Sequence, residues 1–249
     1  MAESRPTLLL DGRLALRQPE RGHRAGTDAV LLAAAAGPVG GLAIDAGAGV
    51  GTAGLIVALA NPAASVTLVE IDPAAAAFAR ENVGLNGLSA RASVVEADLL
   101  SAAARRAAGL VDAGADLVLT NPPWLAPGES RASPDPARAL AHVRGPGGLD
   151  AWMRAVAALT KPGGRMAAIV RAEDLTDMLA ACAGRFGELA ILPVHPRAGE
   201  AAIRLLLRGR KGGRAKPRIF PGLVLHGSDG RFTPLAGALH RGEATLAFG

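Results

Sequence analysis

Tyrosine is absent from this chain, and its aromatic residues are limited to 2 tryptophans and 5 phenylalanines. Any tryptophan at a sharp turn therefore stands out. Cysteine occurs once, at Cys182, which excludes an intrachain disulfide. Its neighbours Met178-Leu179-Ala180-Ala181 suit a buried, inert thiol. Lysine is confined to Lys161, Lys211 and Lys216, so arginine carries most of the positive charge. The net charge of +5 is weak evidence for a polyanionic partner, and local clustering is the better guide. Long apolar runs are also missing. The stretch from Ala29 to Ile44 is broken by Gly37-Pro38 and Gly40-Gly41 and falls short of a membrane span. Leu8-Leu9-Leu10 is too short for a secretory signal and is cut off by Asp11-Gly12. A cytoplasmic protein with no membrane partner is the expectation. His142 and His195 have no partners readable from the sequence, so no metal site is expected.

Hydrophobic residues make up 50% of the chain, enough for a full core at this length. Residues 11–19 alternate apolar and polar positions and predict an extended arm or hairpin, made basic by Arg13, Arg17, Arg21, His23 and Arg24. Thr27 or Asp28 is placed to cap a helix running through Ala36, and a ligand contact suits either equally well. Strand and helix patterns then alternate. Strands are predicted at 42–45, 65–71, 92–97, 116–119 and 166–170, and helices at 52–60, 73–83, 99–108, 149–159 and 173–182. Such alternation argues an α/β fold with a mainly parallel sheet. The last two strand patterns, 189–192 and 202–207, have no helix between them and suit an antiparallel pair at the sheet edge. The expected organisation is one domain over 1–249: an N-terminal arm and helix (1–40), a core (41–209) and a basic C-terminal tail (210–249).

Asp45-Ala46-Gly47-Ala48-Gly49-Val50-Gly51 lies between the first core strand and its helix. Glycines there allow a tight turn and close approach of a ligand to the backbone. Read literally, Gly49-Val50-Gly51-Thr52-Ala53-Gly54 matches the dinucleotide pattern G-x-G-x-x-G, with Glu70 where a ribose-binding acid is expected. The acid at Asp45, at the start of the turn, is unhelpful to a pyrophosphate, and no second substrate domain follows. A cationic ligand without phosphates fits better, and S-adenosylmethionine is such a ligand. Asp45 and the backbone of Gly47, Gly49 and Gly51 suit its amino-acid end, Glu70 its ribose hydroxyls, and Asp98 its adenine amino group. These acids follow three successive strands, bordering the crevice where open parallel sheets bind ligands.

Thr120-Asn121-Pro122-Pro123-Trp124 follows the fourth of those strands. Two prolines cannot continue a strand, and Asn121 is held extended because it precedes one. The stiff corner offers the Asn121 carboxamide oxygen and the Pro122 carbonyl to the two N–H bonds of a planar amino group, with Trp124 to stack on its ring. A base reaching such a pocket has to leave its stack, which costs least in an unpaired loop. Glu200 is the only acid between Arg197 and Arg218, a segment that contains Arg210, Lys211, Arg214 and Lys216, and Arg131, Arg138 and Arg144 dot the loop after the corner. Phosphate contact and a solvated face are equally good readings of the C-terminal cluster.

In these residues the chain resembles the class I S-adenosylmethionine-dependent methyltransferases, and more narrowly the bacterial tRNA1(Val) adenine-N6-methyltransferase group. The likeness runs through Gly26-Thr27-Asp28, Asp45 to Gly51, Val69-Glu70-Ile71 and Asn82-Val83-Gly84-Leu85-Asn86. It continues through Asn121 to Trp124, Val194-His195-Pro196-Arg197 and Arg210-Lys211-Gly212-Gly213. Trp124 replaces the commoner tyrosine or phenylalanine. The resemblance implies a Rossmann-like fold with a seven-stranded, mainly parallel sheet and an antiparallel strand at the C-terminal end. It implies Asn121, Pro122, Pro123 and Trp124 as catalytic residues. Thr27, Asp45, Gly47, Gly49, Gly51, Glu70, Asp98 and Asn121 would hold the cofactor, S-adenosylmethionine. Arg131, Arg138, Arg210, Lys211, Arg214 and Lys216 would hold RNA, most naturally tRNA near its anticodon. The rivals are a methyltransferase for the side-chain amide of glutamine in a protein, for which the same corner works, and a non-catalytic RNA-binding module.

Overall fold

The computed structural model describes residues 6–19, 26–123 and 147–248. The first strands, β1 (Thr7–Leu9) and β2 (Leu14–Leu16), form the predicted antiparallel hairpin. Its turn holds Leu10, Asp11 and Gly12 at positive φ. The core follows in chain order: α1 (Thr27–Ala36), β3 (Leu42–Ala46), α2 (Thr52–Ala60), β4 (Ser65–Glu70), α3 (Pro73–Leu85), β5 (Ala92–Glu96), α4 (Ala102–Ala107), β6 (Ala115–Thr120), α5 (Gly148–Leu159) and β7 (Thr160–Arg171). A 3-10 turn (Ala172–Asp174) leads into α6 (Leu175–Cys182). The chain then forms β8 (Phe186–Arg197), β9 (Arg204–Lys211), β10 (Arg218–Ile219), β11 (Leu223–His226) and α7 (Pro234–Arg241).

The main sheet has the order β10-β8-β9-β7-β6-β3-β4-β5, with β11 also on β8. The five strands from β7 to β5 are parallel, and β9 runs against both of its neighbours. The expected seven strands and antiparallel member are present, and β10 and β11 add two short strands along β8. Successive residues of a strand face opposite sides. Leu117 and Leu119 therefore pack with Val30, Leu31 and Leu55 on one face, while Val118 packs with Ile44, Met153 and Met178 on the other.

Two expectations need correcting. Neither Thr27 nor Asp28 caps α1, whose N-cap is Gly26 with no side-chain cap bond. Asp28 instead pairs with Arg204 at 3.0 Å, and the Thr27 hydroxyl lies 3.2 Å from His240 Nε2. Nor do residues 210–249 form a tail, because Leu223, Leu225, Leu239, Leu246 and Phe248 are buried in the core that also holds α1. Cys182 is fully buried, and burial pushes its thiol up to about 12. Among the described residues, no helix is long and apolar enough to cross a membrane.

Candidate active site

Parallel pairing brings the carboxyl ends of β5, β4, β3 and β6 to one pole of the sheet. Ala46 is in register with both Val69 and Thr120, and Glu70 with Glu96. The glycine turn after β3 and Asn121 after β6 therefore begin level with each other. Gly47, Gly49 and Gly51 all have positive φ, at 75°, 56° and 89°, a region that side chains strain to adopt. Gly47 N and Ala48 N both donate to Val69 O, at 3.0 and 2.9 Å, pinning the turn to β4.

Asp45 is only 2% exposed, and its Oδ2 accepts the Gly54 N–H of α2 at 2.8 Å. That contact explains Gly54, since a Cβ there would lie 2.2 Å from Leu68 Cδ2 and 3.0 Å from Asp45 Oδ2. Burial pushes the Asp45 carboxyl up to about 7; the Gly54 N–H opposes this and the Glu70 charge adds to it. The sequence puts Asp45 beside the ligand, but the fold turns one oxygen under the turn. Its Oδ1 accepts no hydrogen bond among the described residues.

Glu70 sits at the mouth of the turn. Its Oε2 accepts Gly49 N at 2.7 Å, and its Oε1 accepts Ile71 N and Asp72 N at 2.8 and 2.9 Å. A carboxylate has about four acceptor positions, so one is left for a ribose hydroxyl, and a second hydroxyl has to displace the Gly49 N–H. Asp98, beyond β5, uses Oδ1 for Leu100 N at 2.8 Å, and its Oδ2 has no partner among the described residues. These acceptors around a glycine turn fit a cationic, hydroxyl-bearing ligand. The Thr52 hydroxyl at the start of α2 is buried, with no hydrogen-bond partner among the described residues.

Asn121 and Pro123 are half-buried and Pro122 is buried. Trp124, Arg131 and Arg138 lie outside the described residues, as does Arg144. The C-terminal cations are not beside the corner. Arg210 pairs with Arg165, which is level with Leu117, so the cluster lies at the opposite pole, roughly 13 Å from Asn121 along the strands. Lys211 is engaged by the Thr160 carbonyl at 2.6 Å. Arg210, Arg214 and Lys216 are exposed, with no side-chain partner among the described residues.

Two contributors escape sequence reasoning. Asn82 is fully buried; it accepts from Arg17 N at 2.6 Å and donates to Arg17 O at 2.9 Å and to Val50 O at 3.0 Å. One turn later Asn86 grips Ala15 in the same way, at 2.9 and 2.7 Å. The two carboxamides treat the hairpin's backbone as a strand would, and Asn82 also holds the glycine turn. In the sequence these two asparagines stand out only within the stretch that carries the family likeness, with no role attached to them. The second contributor is Trp152 of α5, whose Nε1–H donates to the Thr120 hydroxyl at 2.9 Å.

A glycine turn, acids after successive parallel strands and an Asn-Pro-Pro corner on one sheet define a Rossmann-like S-adenosylmethionine-dependent methyltransferase. The comparisons with known proteins agree. The family described as methyltransferase small domain matches residues 25–134. The tRNA1(Val) (adenine(37)-N6)-methyltransferase of Aeromonas hydrophila is 34% identical over 84% of this chain and 85% of its own length. That of Porphyromonas gingivalis is 31% identical over 85% and 84%. A release factor glutamine methyltransferase of Cereibacter sphaeroides is 33% identical over 56% of this chain and 50% of its own. The crystal structure of an Agrobacterium tumefaciens protein described as a predicted O-methyltransferase is 36% identical. It superposes with a TM-score of 0.74, covering 88% of this chain and 98% of that one. The chain belongs to the methyltransferase family that contains the tRNA1(Val) (adenine(37)-N6)-methyltransferases.

Proposed function

We propose that this enzyme methylates the exocyclic amino nitrogen of an adenine in tRNA near the anticodon, in the cytoplasm, with S-adenosylmethionine as donor. One observation carries the reading: Asn121-Pro122-Pro123 leaves β6 level with the glycine turn that leaves β3. The full-length likeness to adenine-N6-methyltransferases supports adenine as the acceptor, whereas the glutamine methyltransferase likeness spans about half of the chain.

When bound, the donor supplies an electrophilic methyl carbon on a sulfonium sulfur. The Asn121 carboxamide oxygen and the Pro122 carbonyl accept the two amino N–H bonds. This turns the nitrogen lone pair, otherwise delocalised into the ring, toward that carbon. The gain is in orientation and preplaced dipoles. The N–C bond forms as the S–C bond breaks, and the alkylated nitrogen, now acidic, releases a proton along one of those hydrogen bonds to solvent. No strong base is needed. Trp124 stacks on the base, a contact worth about 1–3 kcal/mol in single-stranded sites. Glu70 and Asp98 would hold the donor's ribose and adenine, and Asp45 would face its ammonium.

Labelled donor incubated separately with small RNA, large RNA and release factor protein tests this reading, with digested nucleosides analysed by mass spectrometry. Label in small RNA as N6-methyladenosine is expected. Label in protein glutamine, or in no RNA fraction, overturns the proposal.

A further inference from the structure

The Trp152 indole touches both halves of the site. Its Nε1–H donates to the Thr120 hydroxyl at 2.9 Å, and that hydroxyl in turn donates to Ala46 O at 2.9 Å. Thr120 immediately precedes Asn121, and Ala46 immediately precedes Gly47. Next along the same edge of the indole, Cζ2 and Cη2 lie 3.1 Å from where a Cβ on Gly47 would stand. Gly47 therefore has two reasons to be glycine: its left-handed backbone and this close ring.

We propose that Trp152 is a positioning residue that fixes the distance between the methyl donor's turn and the Asn121 corner. The proposal rests on the methyl-transfer reading above, but not on the identity of the acceptor. Thr120 is fully buried, so the relay from indole to hydroxyl to carbonyl runs where water cannot replace a lost partner. Without the indole N–H, the hydroxyl loses its donor and the end of β6 loses one constraint on the residue that carries the carboxamide. Without the ring, the glycine turn loses the wall against which it packs. Each loss lets the two strand ends shift relative to each other, and an in-line transfer is sensitive to such shifts.

The test compares Trp152→Phe (ring kept, N–H lost), Thr120→Val (hydroxyl lost) and Thr120→Ser (hydroxyl kept). A misplacement of a fraction of an ångström should slow single-turnover transfer at saturating donor and RNA by about tenfold in the first two variants. Donor Kd by calorimetry should stay within about twofold, Thr120→Ser should transfer at nearly the wild-type rate, and the Trp152→Phe/Thr120→Val pair should be no slower than either single variant. Rates that hold at the wild-type value while only the melting temperature falls would make Trp152 a plain packing residue and overturn the proposal. So would losses that multiply in the double variant. A second arm needs no RNA: in Trp124→Phe, Trp152 is the sole tryptophan, and S-adenosylhomocysteine should change its emission with the calorimetric Kd. Unchanged emission would remove Trp152 from the donor's surroundings. Wild-type protein that binds the donor but never methylates RNA would sink the proposed acceptor instead, leaving the emission arm intact.

Discussion

Asp45 is a carboxyl whose burial carries it far from its ordinary behaviour. Its folded value of about 7 lies above the ordinary 3.8. Between about pH 4 and 7 the native state therefore holds a proton that the unfolded chain has released. Stability falls as pH rises through that window and levels off above it. The donor's ammonium favours the ionised carboxylate, so donor affinity should move the opposite way, tightening from pH 5.5 to 7 by up to about tenfold per unit. Calorimetric titration across that range checks this, and Asp45→Asn should flatten the dependence. Asp45 was legible in the sequence as an acid beside a glycine turn. Its burial was not, because the contact that turns it inward is made by Gly54, which the sequence offers only as the last glycine of a dinucleotide-like pattern. Trp152 was invisible for a similar reason: its partner, Thr120, is remote in sequence and is brought close only by the packing of α5 on β6.

Among the elements, α3 shows how a helix polices a loop. Asp72 caps it by accepting Ala74 N at 2.9 Å and Pro73 opens it; the start at Pro73 agrees with the helix expected from residue 73, proline being favoured in a first turn. Its inward asparagines were readable only as part of the family likeness. Asn82→Ala removes the hydrogen bonds that the carboxamide makes to Arg17 N, Arg17 O and Val50 O, all part-buried, and losing partners at such groups carries a penalty. A loss of about 2–3 kcal/mol in denaturant unfolding is expected, together with weaker donor binding, because Val50 belongs to the glycine turn. Unfolding at the wild-type midpoint would mean that water replaces the carboxamide. The β7–β9 pair teaches a different lesson. Arg204 and Arg210 lie close in sequence, yet pairing with Arg171 and Arg165 sends them to opposite poles of the sheet. No composition count distinguishes them, and only register does.

For the whole molecule, the alternation of strands and helices, the crevice at the carboxyl ends of the strands and the glycine turn could all be argued from the chain. The distribution of charge over the surface could not. Arg165 and Arg208 donate to the carbonyls of Ala36, Pro38 and Ala35 and so close the C-terminal end of α1, where cations are favoured. They belong to the scaffold. Arg210, Arg214 and Lys216 remain available at the pole away from Asn121. Reversing all three to glutamate should raise KM for full-length tRNA and reduce the salt slope of binding by about one per lost phosphate contact. The turnover number, and activity on a minimal anticodon stem-loop, should not change. Equal effects on both substrates would bring the patch next to the reacting base and contradict the strand register. Methyl transfer here depends above all on one arrangement, the Asn121 corner that orients a flat amino group toward the donor's methyl carbon. Its most direct test is single-turnover formation of N6-methyladenosine by wild-type protein and Asn121→Ala at matched donor occupancy. A loss of at least about a hundredfold, with donor affinity unchanged within about twofold, is predicted; methylation by the variant at close to the wild-type rate would contradict that dependence.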